Sequence, residues 1–427
     1  MWPNYQPTSI YMQNDLIFTT YHTHTLSNGL RIVHLPSLSP VTYCGFAIDA
    51  GTRDERSDEQ GMAHFVEHTL FKGTQRRKAW HILNRMEYVG GDLNAYTNKE
   101  ETVVYAAFLN EHLARAAELL TDIVFHSTFP SQELAKETEV VIDEIQSYED
   151  TPSELIFDDF EDLIFQGHPL GHNILGTPDQ LKSFTSERVK AFVERYYHPG
   201  NMVFFVLGNY PFMRIVKLME RLAGAEPARS SCSERLMPSP YEPRQLLQEK
   251  ETHQNHIMIG ARGYDAHNPK RTALYLLNNM LGGPGMNSRL NLSLRERRGL
   301  VYTVESNLTA YTDTGTFCIY LGCDDEDRRR CIQLVTKELD LLCQRPLTAA
   351  QLAAAKKQLI GQIGVASDNN ENMALSMAKT FLHYNRYELP QAVCRRVEAL
   401  TAAELFEVAN EMFRPEYLST LIYAPTS

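Results

Sequence analysis

Three residues between positions 61 and 74, in the stretch GMAHFVEHTLFKGT, have the types and spacing for hydrolytic chemistry. They are His64, Glu67 and His68, in the order H-x-x-E-H. On a helix, side chains four apart lie one turn above each other on the same face. His64 and His68 can therefore aim two imidazoles at one small volume, and the Glu67 carboxylate overhangs the same volume. Two neutral imidazoles plus a carboxylate base are what metal-assisted hydrolysis needs. A catalytic zinc site of this type takes a third protein ligand and keeps a fourth position for water. The helical stretch 131–148 offers Glu137 and Glu144, seven apart and so two turns apart on one face. Either completes a His-His-Glu set. Both also fit the solvated face of a surface helix, and spacing alone leaves that open.

The elements that must position these residues are legible in outline. Asn28-Gly29 marks a hairpin turn within 25–34, leading into a strand, and 41–50 reads as a second strand ending at Gly51. The motif helix follows and is expected to end at Gly73-Thr74. A second helix over about 78–89 is broken by Gly90-Gly91, and 93–97 and 102–109 read as paired strands. Helix returns at 111–125, and Ser131 is the expected N-cap of the long helix carrying the two glutamates. A Gly/Pro-punctuated loop covers 167–184, and Thr185 caps a helix running to about Tyr197, which Pro199 stops. The strand MVFFVLG (202–208) and a helix over 211–223 close this part. Residues 226–245, rich in Pro, Ser and Arg, read as a linker between a first domain, 1–225, and a second, 246–427.

The second part repeats the first. Leu134 in FPSQELAKE matches Leu352 in PLTAAQLAAA, 218 positions on, and Pro199 before MVFFVLG matches Pro415 before YLSTLIY, 216 positions on. Thr185 opens one helix, and Thr401 with Glu404 makes a capping box on its counterpart. Near-equal offsets at separated places indicate a duplicated domain. Each copy reads strands, helices, strands, helices, so the expected fold class is α+β, a mostly antiparallel sheet packed against helices in each of two domains. At an offset of 218 Glu137 faces Ala355 and Glu144 faces Gln362, and with a few residues of slip HFVEH faces YLLNN at 275–279. The second copy keeps the scaffold and lacks every ligand, so the fold does not demand the carboxylates of the first.

Composition bounds the remaining possibilities. The chain has 427 residues, 43% of them apolar, and a formal net charge of −12, which argues against nucleic acid as a partner. No stretch is long and apolar enough to span a bilayer, and the first residues, MWPNYQPTSIYMQNDLIF, lack the basic and apolar regions of a secretory signal. The seven cysteines (Cys44, Cys232, Cys318, Cys323, Cys331, Cys343, Cys394) include no C-x-x-C pair. Their odd number and scatter point to a reducing compartment, the cytoplasm. His22 and His24, and His168 and His172, are weaker metal pairs, since no carboxylate is arranged around them. The GGPGM run (282–286) lacks the order of a phosphate-binding loop.

With these residues in place, the chain resembles the pitrilysin/insulinase family of inverted-motif zinc metallopeptidases. The likeness is to the half-length type that includes mitochondrial processing peptidase and bacterial relatives. It is carried by H-x-x-E-H, by Glu144 76 positions after His68 with Glu137 seven before it, by VVIDEIQSYEDTPSE and HPLGHNILGT, and by LRERRG in the second part. The resemblance implies that His64, His68 and Glu144 bind one zinc ion, that Glu67 is the general base, and that Glu137 supports the site as an outer carboxylate. It implies that Asn94, Ala95, Tyr96 and Thr97 pair with a peptide backbone by strand addition, although a plain edge strand would look the same. It implies that Arg295 and Tyr302, seven apart in LRERRGLVY, steady substrate carbonyls or an oxyanion. The expected activity is a zinc metalloendopeptidase cleaving peptides or unfolded polypeptides in an enclosed chamber. With only two domains, the far wall is expected from another chain, in a homodimer or a heterodimer with an inactive homologue. The competing readings are a non-enzymatic peptide-binding or assembly subunit, and hydrolysis of a non-peptide amide.

Overall fold

The strand MVFFVLG is apolar at every position because both faces of it are covered, the pattern of a central strand. The structure, a computed structural model, describes residues 20–229 and 235–426. The N-terminal stretch assessed for a signal, Cys232 and part of the expected linker lie outside the described residues.

The first sheet has six strands: β1 (His22–Thr25), β2 (Arg31–Pro36), β3 (Val41–Ile48), β4 (Asp92–Thr97), β5 (Thr102–Leu109) and β6 (Met202–Gly208), in the order β1-β2-β6-β3-β5-β4. Only β2 and β6 run parallel. The second sheet has β7 (Gln245–Lys250), β8 (Asn255–Gly263), β9 (Val301–Ala310), β10 (Gly315–Cys323) and β11 (Ser419–Pro425), in the order β7-β11-β8-β10-β9, with β7 and β11 parallel. Removing β1 makes the two orders identical strand for strand. The duplication read from two offsets is thus a duplication of topology, and the fold is α+β with two mostly antiparallel sheets.

Helices α1 (Met62–Leu70), α2 (Ala79–Glu87), α3 (Leu113–His126), α4 (Ser131–Glu149), α5 (Pro152–Ile164), α6 (Pro178–Lys182), α7 (Ser186–Tyr196) and α8 (Phe212–Ala223) belong to the first half. The second half has α9 (Arg271–Gly282), α10 (Arg328–Gln344), α11 (Ala349–Ala366), α12 (Asn370–Tyr384), α13 (Pro390–Ala399) and α14 (Ala402–Met412). Thr185 accepts from the Arg188 amide as expected, and Thr401 and Glu404 form the capping box. Two expectations need correction. Ser131 is the first residue of α4 and caps nothing; Pro130 stands at the N-cap. The motif helix ends at Leu70, one turn before Gly73.

Side-chain alternation divides each sheet between two cores. Met202, Phe204 and Val206 of β6 face α1, α3 and α4, in one core with Phe65, Leu120 and Val141. Val203, Phe205 and Leu207 face the other way, onto Met377, Ala378 and Phe381 of α12 from the second half. The exchange is reciprocal. Ile156, Phe160 and Ile164 of α5 leave the first half and pack on Met258, Tyr320 and Tyr423 of the second sheet. Each half therefore covers the outer face of the other's sheet with one helix. The seam is also tied by buried charge: Arg53 binds Glu100 and Asp313, and Glu101 binds Lys379 and His383. Among the described residues no helix is long and apolar enough to cross a membrane.

Candidate metal centre

The motif helix begins at a backbone position that demands glycine. Gly61 has φ of 90°, and a Cβ there would lie 2.7 Å from the Leu175 carbonyl oxygen. With no side chain at the N-cap, the first turn of α1 takes its cap from outside. The buried Glu55 carboxylate accepts from the Gly61 amide at 2.9 Å and the Ala63 amide at 2.8 Å. Two otherwise orphaned donors are satisfied at the positive end of the helix; burial raises the Glu55 pKa, and the bonds from the Ala63 and Gly61 amides oppose the rise. Met62, Phe65, Val66 and Leu70 bury their side of α1 in the first core. That orientation turns His64, Glu67 and His68 towards α4.

The two helices bring together the residues that the sequence placed 76 positions apart. His64 Nε2 lies 3.9 Å, and His68 Nε2 3.5 Å, from the same Glu144 oxygen. One donor atom from each of His64, His68 and Glu144 falls within 4.8 Å of the other two, and among the described residues this is the one such cluster of potential metal ligands. Bonds of about 2.0–2.1 Å to a tetrahedral ion space the donors by roughly 3.4 Å, so the triad needs only a small contraction to close on zinc. Protonation also suits a metal. Burial, with some repulsion from His68, pushes the His64 pKa down to about 3, so its imidazole is neutral at pH 7. Glu137 lies 3.3 Å from His68 Nδ1, which places the ring proton there and leaves the Nε2 lone pair facing Glu144. The other Glu137 oxygen meets Lys72 Nζ at 2.5 Å. The donor set fits zinc: two imidazole nitrogens and a carboxylate, one imidazole backed by a second carboxylate.

Glu67 sits beside this cluster without joining it. Burial raises its pKa; a hydrogen bond with the Thr97 side chain and the charge of His68 partly oppose this, and Glu144 adds to the rise. Thr97 ends β4, which pairs with β5 on one side only and forms the edge of the first sheet. Asn94 is exposed, Ala95 and Tyr96 are half-buried, and the Thr97 side chain is turned inward. The strand expected to take a peptide is thus an open edge next to the carboxylate expected to act as base.

Arg295 and Tyr302 are elsewhere. Arg295 lies in the helical turn Asn291–Glu296, and Tyr302, 82% exposed, near the start of β9, the edge of the second sheet. Arg295 lines a cleft of about 440 Å³ between α9 and β9, shared with Tyr275, Asn278 and Asn279. In strand order β9 is the counterpart of β4, and YLLNN lies on α9 as HFVEH lies on α1. Where Glu67 meets Thr97, Asn278 exchanges hydrogen bonds with Ser306 of β9. Among the described residues, neither Arg295 nor Tyr302 is hydrogen-bonded or ion-paired to the His64 cluster. The weaker histidine pairs have other partners: His22 stacks on His34 and Phe212, the Leu170 amide donates to His168, and His172 meets Gln60. Cys318 and Cys323 are packing residues of β10.

Sequence reasoning missed Glu55 and Lys72. Lys72 was findable, lying four after His68 and so on the same helical stripe. Glu55 lies in an irregular stretch with no periodicity to reveal it.

Comparison with known proteins follows the division seen in the structure. Residues 33–178, which hold all the candidate ligands, match the family model described as insulinase (peptidase family M16), and residues 183–359 match the one described as peptidase M16 inactive domain. An uncharacterized zinc protease of Bacillus subtilis is 32% identical over 93% of this chain and 97% of its own length. One from Rickettsia felis is 30% identical over 94% and 97%. In fold the chain is similar to a peptidase M16 inactive domain from Pseudomonas fluorescens (TM-score 0.89, 21% identity, 95% of this chain and 98% of that one) and to a protease from Helicobacter pylori (TM-score 0.86, 22% identity, 96% and 100%). A strand order that occurs twice, with candidate metal ligands in the first copy only, and relatives named zinc proteases matching nearly end to end lead to one conclusion: the chain belongs to the insulinase family, peptidase family M16.

Proposed function

We propose that the protein is a zinc-dependent metalloendopeptidase acting on peptides or unfolded polypeptides. The observation that carries this is the meeting of His64, His68 and Glu144 around one point, with Glu67 beside them and an open strand edge adjoining. His64, His68 and Glu144 would hold the zinc ion, which would supply Lewis acidity and activate water for attack. An extended peptide adds to β4, with Asn94 to Thr97 offering main-chain hydrogen bonds along the edge. Glu67 takes a proton from the attacking water and delivers it to the leaving amine. Its burial favours the protonated form, which suits the second step, and the Thr97 hydroxyl aims its carboxylate.

Arg295 and Tyr302 act in this reading from the partner of a homodimer, or of a heterodimer with an inactive homologue, that closes the chamber. Their exposure, and the absence among the described residues of a hydrogen bond or ion pair from either to the His64 cluster, support that arrangement. The chamber then selects substrates by size and unfoldedness more than by sequence.

The test is cleavage of a peptide mixture by wild type and Glu67→Gln, with bound zinc measured in both. Glu67→Gln is expected to hold zinc and to lose roughly 10²–10⁴-fold in turnover. A wild type that binds zinc but cleaves nothing favours the peptide-binding subunit instead. Mixing Arg295→Ala with Glu67→Ala subunits is expected to restore activity; no recovery rules out the shared chamber.

A further inference from the structure

We propose that Lys72 is a positioning residue of the metal centre: its ammonium holds Glu137 against His68 and thereby sets the affinity of the site for zinc. The inference rests on the zinc reading above and extends it to a residue outside the motif. His64, His68 and Lys72 recur at four-residue intervals, so all three rise along one stripe of α1 and the turn that follows it. Lys72 stands just past the helix end, where the C-terminal carbonyls favour a cation. Glu137 is 8% exposed and divides its two oxygens between Lys72 Nζ at 2.5 Å and His68 Nδ1 at 3.3 Å. Without Lys72, a buried carboxylate would keep one neutral hydrogen-bond partner, which is a costly state for an anion. It would be free to rotate off His68 towards water or the ion.

Two physical roles for Lys72 predict opposite signs, which makes the proposal decidable. A through-space role alone means that the ammonium repels the incoming cation, so its removal tightens zinc binding. A positioning role means that removal lets Glu137 leave His68, and loss of such an outer partner typically weakens metal binding roughly 10–100-fold. The experiment measures zinc affinity of the full chain by competition with a chromophoric chelator, for wild type, Lys72→Met, Lys72→Arg, Glu137→Gln and Lys72→Met/Glu137→Gln. The visible spectrum of each cobalt-loaded protein and the thermal melt of each zinc-free protein accompany it. Lys72→Met is expected to weaken zinc by roughly 10–100-fold and to shift the cobalt spectrum, while the zinc-free protein still melts cooperatively as a folded chain. Lys72→Arg is expected to recover most of the affinity, and the double variant to be no weaker than Glu137→Gln. Unchanged or tighter binding by Lys72→Met, additive losses in the double variant, or Lys72→Arg as weak as Lys72→Met would each overturn the proposal. A wild type that binds no zinc would instead overturn the reading beneath it.

Discussion

Glu101 ties the loop after the candidate substrate strand to the opposite half of the molecule, and its removal has a calculable, pH-dependent cost. Its carboxylate is fully buried and meets Lys379 Nζ at 2.7 Å and His383 Nε2 at 3.1 Å, both on α12. Burial by itself would raise the Glu101 pKa. The hydrogen bond to His383 and the charge of Lys379 outweigh it and hold the pKa at about 2, against an ordinary 4.5. At about 1.4 kcal/mol per unit, that difference corresponds to about 3 kcal/mol of folding stability at neutral pH. The pKa is depressed on folding, so the contribution is complete above about pH 5 and is lost as pH falls from there to about 2, with roughly half gone at pH 3. Glu101→Gln keeps the shape and one acceptor oxygen but removes the charge, and Lys379, 43% exposed, can turn to water. Urea unfolding of the two proteins should therefore differ by about 2–3 kcal/mol at pH 7, and the curves should converge at pH 2. A difference below about 1 kcal/mol at pH 7, or one that persists undiminished at pH 2, would refute the argument that this ion cluster clamps the halves together.

Three further outcomes follow from the geometry. Gly61→Ala puts a side chain into a left-handed backbone position against Leu175 and Gly176; it should cost at least about 1–3 kcal/mol and lower zinc occupancy, measured by melting and metal analysis. Glu55→Ala leaves two buried amides of α1 without an acceptor and should destabilise the protein by about 2–5 kcal/mol, with amide exchange at Gly61 and Ala63 rising before that of β6. Phe381→Ala opens a cavity where α12 covers the first sheet and should cost about 3–5 kcal/mol, although the residue belongs to the half without ligands. A substitution there that altered only the second half's unfolding would contradict the exchanged packing.

Most elements of the first half, though not α5, and the chemistry of the candidate ligand pair were legible in local spacing. H-x-x-E-H acts through helical periodicity, a property of neighbouring residues, and the glycines, prolines and Thr caps that bound the helices act just as locally. The duplication was legible because both copies kept these local signals at a near-constant offset, and the empty second site was legible as Ala355 and Gln362 at the places of Glu137 and Glu144. Tertiary structure alone decided which carboxylate faces which histidine atom: Glu144 closes on both Nε2 atoms while Glu137 backs His68 Nδ1, a choice set by the packing of α1 on α4. It also decided that the buried Glu55 caps α1, and that α5 and α12 cross to each other's sheet. An apolar helix face records that something must cover it, but its periodicity is the same whichever sheet does so.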